Sequence, residues 1–176
     1  MKKLFIYLSA LLCFLSCIKE GNDGADLKVG DRLPDFYVTT DAGAEITGSF
    51  LREGVSCVVF FTTTCPDCQQ TLPHLQRIYD EYLSKGVKFA IISRQEGAES
   101  LAAYWARQGF TMPYSAQEDR SIYELFARTG VPRVYISKDG VIRNIFTDSP
   151  TPTYDSLKEA IGDLKDILNF ENQNNN

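Results

Sequence analysis

Five apolar residues stand in a row from Cys57 to Phe61, Cys-Val-Val-Phe-Phe, rich in β-branched and aromatic types. A run of that length and composition suits a strand buried on both faces, as in the middle of a parallel sheet. After it the period changes. Leu72, Leu75, Ile78, Tyr79 and Tyr82 recur at three-four spacing, which predicts one apolar helix face over about Pro66 to Ser84. Pro73 removes one hydrogen bond inside that helix and should kink it. Gly86 ends it, and Val87 to Ser93 reads as the next strand. Strand, helix and strand at this spacing argue for a crossover with parallel pairing.

The flanking segments extend the pattern on both sides. Tyr37 to Thr40 and Glu45 to Thr47, joined through Asp41-Ala42-Gly43, predict an N-terminal β-hairpin, and Leu51 to Ser56 connects it to the buried strand. Glu99 to Gln108 is a helix closed by Gly109, with Tyr104 and Trp105 as packing aromatics. Phe110 to Ala116 adds a short strand at a sheet edge, and Asp119 to Arg128 a helix. Gly130-Val131-Pro132 turns into a strand from Arg133 to Ser137. A tight turn at Lys138-Asp139-Gly140 leads to its partner, Val141 to Phe146. A proline-containing loop, Asp148 to Thr153, precedes a closing amphipathic helix from Tyr154 to Leu168, with Leu157, Ile161, Leu164 and Leu168 on its apolar side. The Asn-rich end predicts disorder over 171–176. No internal repeat and no second domain is visible.

The N-terminus does not belong to this pattern. Lys2 and Lys3 precede a mostly apolar run from Leu4 to Leu15, the length of a signal h-region and short for a membrane span. It ends in Phe14-Leu15-Ser16-Cys17, which resembles the lipobox of bacterial lipoproteins, where the cysteine carries the lipid and becomes the first mature residue. Cys13 is the poorer candidate, because Leu12 is not the small residue the peptidase favours. An ordinary secretory signal is the alternative; both place the domain outside the cytosol, where disulfide chemistry is permitted. Residues 1–16 are therefore read as leader, 17–28 as tether, and 29–170 as one domain. Ile18, rather than an aspartate, follows the lipid site, which implies the outer membrane. Lys19-Glu20 resembles the short export signals of surface lipoproteins, so display at the cell surface stays open.

Composition adds exclusions. Lys2 and Lys3 account for two of the 18 basic residues, which leaves 16 against 23 acidic in the mature chain, a net charge of −7. No basic cluster appears, so nucleic acid is not an expected partner. The membrane would hold such an acidic chain through acyl groups rather than charge. A monomer is expected.

Cys65 and Cys68 flank Pro66 and Asp67 where the buried strand ends and the helix begins. Free N–H groups and the positive dipole end of the helix favour a thiolate at Cys65, and Cys68, one turn along, can close a disulfide with it. The bland readings are a zinc half-site and two inert cysteines. Zinc needs four ligands, and the mature domain offers only His74 and Cys57 as further soft donors. Cys57 reads as core, and His74 as a solvated or partly packed side chain. No metal and no cofactor beyond the Cys65–Cys68 disulfide is implied.

In this order, Val-Gly-Asp-Arg-Leu-Pro-Asp-Phe at 29–36, Cys-Pro-Asp-Cys at 65–68, Pro73, Gly-Val-Pro at 130–132 and the Lys-Asp-Gly turn resemble the thioredoxin superfamily. The similarity is closest to its membrane-anchored TlpA/ResA-like branch, which has an AhpC/TSA-type domain, and covers about Val29 to Leu168. The resemblance implies an α/β, three-layer fold: a central mixed sheet flanked by helices, with an N-terminal hairpin and an inserted helix. It also implies a cis Val131–Pro132 bond beside the cysteines and a Val131 backbone that pairs with substrate, with Pro66 and Asp67 adjoining. Three departures stand out: Thr64 replaces the usual tryptophan, Thr71 a glutamate carried by part of the branch, and Val59 the buried aspartate of thioredoxin itself.

The activity so implied is that of an extracytoplasmic, lipid-anchored thiol–disulfide oxidoreductase. Cys65 attacks a substrate disulfide, Cys68 resolves, and a membrane thiol-transfer protein returns the electrons. Without a cation between the cysteines, and with Asp67 there, the pair is expected to act as a reductase or isomerase. A peroxiredoxin-like peroxidase is a second reading, since Thr62-X-X-Cys65 matches part of a peroxidatic motif, although Val58 stands in its proline position. A copper-handling protein and a non-catalytic lipoprotein are the remaining readings.

Overall fold

A computed structural model describes residues 26–174, with side chains through Leu164. The elements are β1 (Tyr37–Thr39), β2 (Glu45–Thr47), α1 (Gly48–Leu51), β3 (Val55–Phe61), α2 (Pro66–Tyr82), β4 (Lys88–Ser93), α3 (Ala98–Gln108), α4 (Ser121–Glu124), β5 (Arg133–Lys138), β6 (Val141–Phe146) and α5 (Tyr154–Asn174). The leader, Cys13, Cys17 and the tether up to residue 25 lie outside the described residues. No described helix is long and apolar enough to cross a membrane.

β3 is the centre of the molecule, and all seven of its residues are buried. It pairs parallel with β4 and antiparallel with β5, and β6 completes the order β4-β3-β5-β6. The crossover through α2 accounts for the parallel β3–β4 pair and the Lys138–Gly140 turn for the antiparallel β5–β6 pair. The two faces of β3 meet different partners, because successive side chains alternate. On one face Phe60 packs its ring against Tyr123, Phe126 and Tyr135, 4.8–6.4 Å between centroids. On the other, Phe61 lies 5.1 Å from Trp105 of the inserted helix α3. Trp105 in turn meets Phe110 and Tyr114.

The N-terminal segment is fastened to the sheet rather than lying beside it. Gly30 N–H bonds Ile142 O (2.9 Å), Ile142 N–H bonds Asp31 O (2.9 Å), and Leu33 N–H bonds Gly140 O (2.9 Å). The hairpin β1–β2 has the expected register. It docks through Asp41, whose N–H bonds Tyr114 O (2.8 Å) and whose carboxylate accepts from Tyr114 N–H (3.0 Å). The connection after it holds a short helix that the polar pattern hides. Thr47 caps α1 by accepting Phe50 N–H (3.1 Å). Gly48 is required there, because a Cβ would come within 2.3 Å of the Pro34 carbonyl oxygen.

Four boundaries differ from the sequence expectation. Phe110–Ala116 makes one isolated bridge, from Ser115 to Ile92, instead of a strand, and a second bridge follows it at Gln117. The Gln76 side-chain carbonyl takes the N–H groups of Thr111 (2.8 Å) and Met112 (3.0 Å), and Trp105 Nε1 donates to Met112 O (2.8 Å), so that backbone has no ladder to offer. The helix expected over Asp119–Arg128 shrinks to α4. Phe126 O accepts from Leu27 N–H (2.9 Å) and Tyr135 Oη (3.2 Å), which ends helical bonding at that turn. The closing helix α5 runs on to Asn174, past Leu168 and into the stretch expected to be disordered. Finally, the domain starts before Val29: Leu27 is buried and bonded to Phe126, so Asp26–Lys28 belong to the fold rather than to a tether.

Candidate active site

The end of β3 delivers Thr62-Thr63-Thr64-Cys65 to the start of α2. Cys65 is the N-cap of α2 with extended backbone, and Pro66 occupies the first helical turn, where its missing N–H costs nothing. The Cys65 Sγ accepts from Cys68 N–H at 3.5 Å, so it takes the place that a serine or aspartate oxygen would fill in an ordinary cap. Across the cleft, the same sulfur donates to Val131 O at 3.3 Å. The structure thus brings Cys65, Cys68, Val131 and Pro132 together, 66 and 67 residues apart in the chain. The Val131–Pro132 bond is cis, as the resemblance implied, and Ser149–Pro150 is a second cis bond.

The two sulfurs are not equivalent. Cys65 is half-buried and Cys68 fully buried, and both are free thiols. Burial pushes the Cys68 thiol strongly up, an effect that the Thr62 backbone opposes and that Cys65 and the Asp67 carboxylate add to. Cys57, in the middle of β3, is fully enclosed, and burial alone pushes its thiol up to about 12. It sits in the core, as its position in the apolar run suggested. His74 is half-buried on α2, and Pro66 lies exposed beside the half-buried Asp67.

Two residues that sequence reading passed over hold the loop before Cys65. Glu96, just after β4, accepts from Thr63 N–H (2.8 Å) and from the hydroxyls of Thr63 and Ser100. Gln69 Nε2 donates to Thr63 O at 2.7 Å. Both polar groups of the Thr63 backbone are thereby satisfied by side chains. Thr71, where part of the branch carries a glutamate, is fully buried and returns its hydroxyl to Asp67 O at 2.8 Å. It offers no acid or base to the pair. No signal in the linear sequence ties Glu96 to Thr63, since 33 residues separate them.

Residues 29–145 match the AhpC/TSA family. The chain belongs to that family. A thiol-disulfide oxidoreductase ResA from Geobacillus kaustophilus is 26% identical over 124 residues, which are 70% of this chain and 71% of the relative. The ResA of Oceanobacillus iheyensis is 26% identical over 176 residues, covering 96% and 88%. Among solved structures, a thiol:disulfide interchange protein of the thioredoxin family from Chlorobium tepidum superposes with a TM-score of 0.66 at 20% identity, over 80% of this chain and 99% of that one. A secreted Mycobacterium tuberculosis disulfide oxidoreductase gives 0.65 at 19%, over 73% and 96%. The fold is therefore thioredoxin-like, an α/β architecture with a mixed four-stranded sheet between helices and an N-terminal hairpin. With this family and these relatives, the chain is a thiol–disulfide oxidoreductase.

Proposed function

We propose that the chain is a lipid-anchored, extracytoplasmic reductase or isomerase of protein disulfides that works through Cys65 and Cys68. The observation that carries this reading is the contrast between the sulfurs: Cys65 half-exposed at a helix N-terminus, Cys68 buried one turn behind it. The Cys65 thiolate attacks a substrate disulfide sulfur and expels one substrate thiolate, which leaves a mixed disulfide. Cys68 then gives up its proton and attacks the Cys65 sulfur, releasing the second substrate thiolate. Two electrons pass to the substrate and the Cys65–Cys68 disulfide remains, to be reduced by a membrane thiol-transfer protein. The pair needs no other cofactor.

Val131 gives the substrate a place to lie. Among the described residues its N–H has no partner in the chain, and its carbonyl meets only the Cys65 thiol. When Cys65 loses its proton that bond goes too, and both backbone groups become free for an extended substrate strand. Pro132, Pro66 and Asp67 border the same opening. A peroxidase reading has less support, since Val58 stands where that motif has proline and a resolving thiol sits one turn away.

The direction of the reaction follows from Asp67. Its carboxylate opposes negative charge on the Cys68 sulfur, and closing the disulfide removes the thiol that would carry it, so the couple shifts toward reducing values. Strong oxidases near −120 mV and thioredoxin near −270 mV differ by about 7 kcal/mol, so one neighbouring charge is felt. Equilibration with glutathione, read by alkylation of the remaining thiols, tests this. The wild-type couple should lie on the reducing side, Asp67→His should be more oxidising, and one fast iodoacetamide-reactive thiol should vanish with Cys65→Ser but persist in Cys68→Ser. A wild-type potential near the strong oxidases, or a fast thiol that follows Cys68, would overturn the reading.

A further inference from the structure

Side chains tie down the residues just before Val131 in its loop. Arg128 N–H donates to Asp26 Oδ1 (2.7 Å). Thr129 O accepts from Arg133 Nε (3.2 Å) and Nη2 (2.8 Å). Gly130 O accepts from the buried Tyr123 hydroxyl (2.7 Å). Arg133, directly after Pro132, closes this arrangement: its Nη2 also meets Asp26 Oδ2 at 2.6 Å. The guanidinium therefore bridges the start of the loop to Asp26, and Asp26 is in turn fixed by the neighbouring Leu27 N–H bond to Phe126 O.

Removing either half of this pair has a foreseeable consequence. The Arg133 side chain is only 13% exposed, whereas that of Asp26 is 37% exposed. A mostly buried guanidinium without its carboxylate is drawn toward water. In turning out it releases Thr129 O, so that between Arg128 and Val131 the Tyr123 bond to Gly130 O is the one hold left among the described residues. The carboxylate thus acts at a distance, through Arg133, on the Val131 backbone, whose N–H has no partner among the described residues.

We propose that Asp26, acting through Arg133, is a positioning residue that keeps the Val131 backbone in the register an extended polypeptide disulfide needs to pair beside Cys65. This rests on the function proposed above and adds the residue that sets the polypeptide subsite. A small disulfide reagent reaches Cys65 without pairing to Val131, so the two kinds of substrate separate this role from general stability.

The test uses the full chain in the Cys68→Ser background, where attack stops at the mixed disulfide. Rates of Cys65 are measured with an extended peptide whose cysteine is activated by thionitrobenzoate and with Ellman's reagent alone. Asp26→Asn keeps the shape and an oxygen for Arg128 N–H but removes the charge. It should lower the peptide-to-reagent rate ratio about five- to tenfold, the range of one net hydrogen bond. Asp26→Ala should lower the ratio at least as far. An unchanged ratio in Asp26→Asn, or two rates that fall together, would overturn the role of Asp26. A Cys65 that reacts with neither reagent in the Cys68→Ser chain would instead overturn the functional reading, and this proposal with it.

Discussion

Cys57, Cys65 and Cys68 share one residue type and meet three surroundings, and their chemistry follows the surroundings. Cys57 is enclosed on all sides within β3, so its thiol stays protonated to about 12. An unfolded thiol ionises near 8.5. Between those values the unfolded chain has lost a proton that the folded chain keeps. Stability from this group is therefore complete below about 8.5 and falls as pH rises, by about 1.4 kcal/mol per pH unit. Cys57→Ala removes that contribution while leaving a small cavity. It should be less stable than wild type at pH 7 yet lose stability more slowly between about pH 8.5 and 10.5. Urea denaturation of the reduced proteins across that range gives the two slopes, and parallel slopes would contradict the assignment. Cys57 as core was legible from its place in an apolar run. The difference between Cys65 and Cys68 was legible only as helix position, and burial made it quantitative.

At the scale of elements, the sequence pattern succeeds where a segment buries one continuous face and fails where side chains intervene in the backbone. β3 was legible because both of its faces are buried in a continuous apolar run, and α2 because every third to fourth residue points into the core. Phe110–Ala116 carries strand-like residues, but Gln76 takes two of its N–H groups and Trp105 one of its carbonyls. Gln76 lies on α2, some 35 residues away, and nothing local marks it as a backbone partner. Gln76→Ala should cost about 1–3 kcal/mol, because two backbone donors lose a shared acceptor. Amide exchange at Thr111 and Met112 should quicken in the same variant, while exchange in β3 stays slow. Unaltered exchange at those two amides would show that the glutamine does not hold the segment.

For the whole molecule, the first residues of the domain meet the loop that faces Cys65. Asp26 and Leu27, read from sequence as tether, are part of the domain and brace the loop opposite Cys65. If Cys17 carries the lipid, eight residues separate it from Asp26, a reach of about 30 Å when extended. The cleft would then work close to the membrane surface, within reach of the membrane thiol-transfer protein proposed above as its electron donor. Metabolic labelling with an alkynyl fatty acid should mark the wild-type chain and not Cys17→Ala, and the label should fractionate with the outer membrane. Labelling that persists in the variant would move the anchor to Cys13.

The sequence by itself determined the α/β class, the parallel crossover, the placement of Cys65 at a helix start and the family. Each of these follows from local periodicity or from residues adjacent in the chain. Tertiary structure alone decided which backbone groups stay free and which are claimed. Val131 O lies beside Cys65, Glu96 satisfies Thr63, Gln76 prevents a strand, and Arg133 joins Asp26 to Thr129. The physical reason is common to all four. A buried or half-buried polar group must find a partner wherever folding brings one, and that partner's position in the chain leaves no periodic trace.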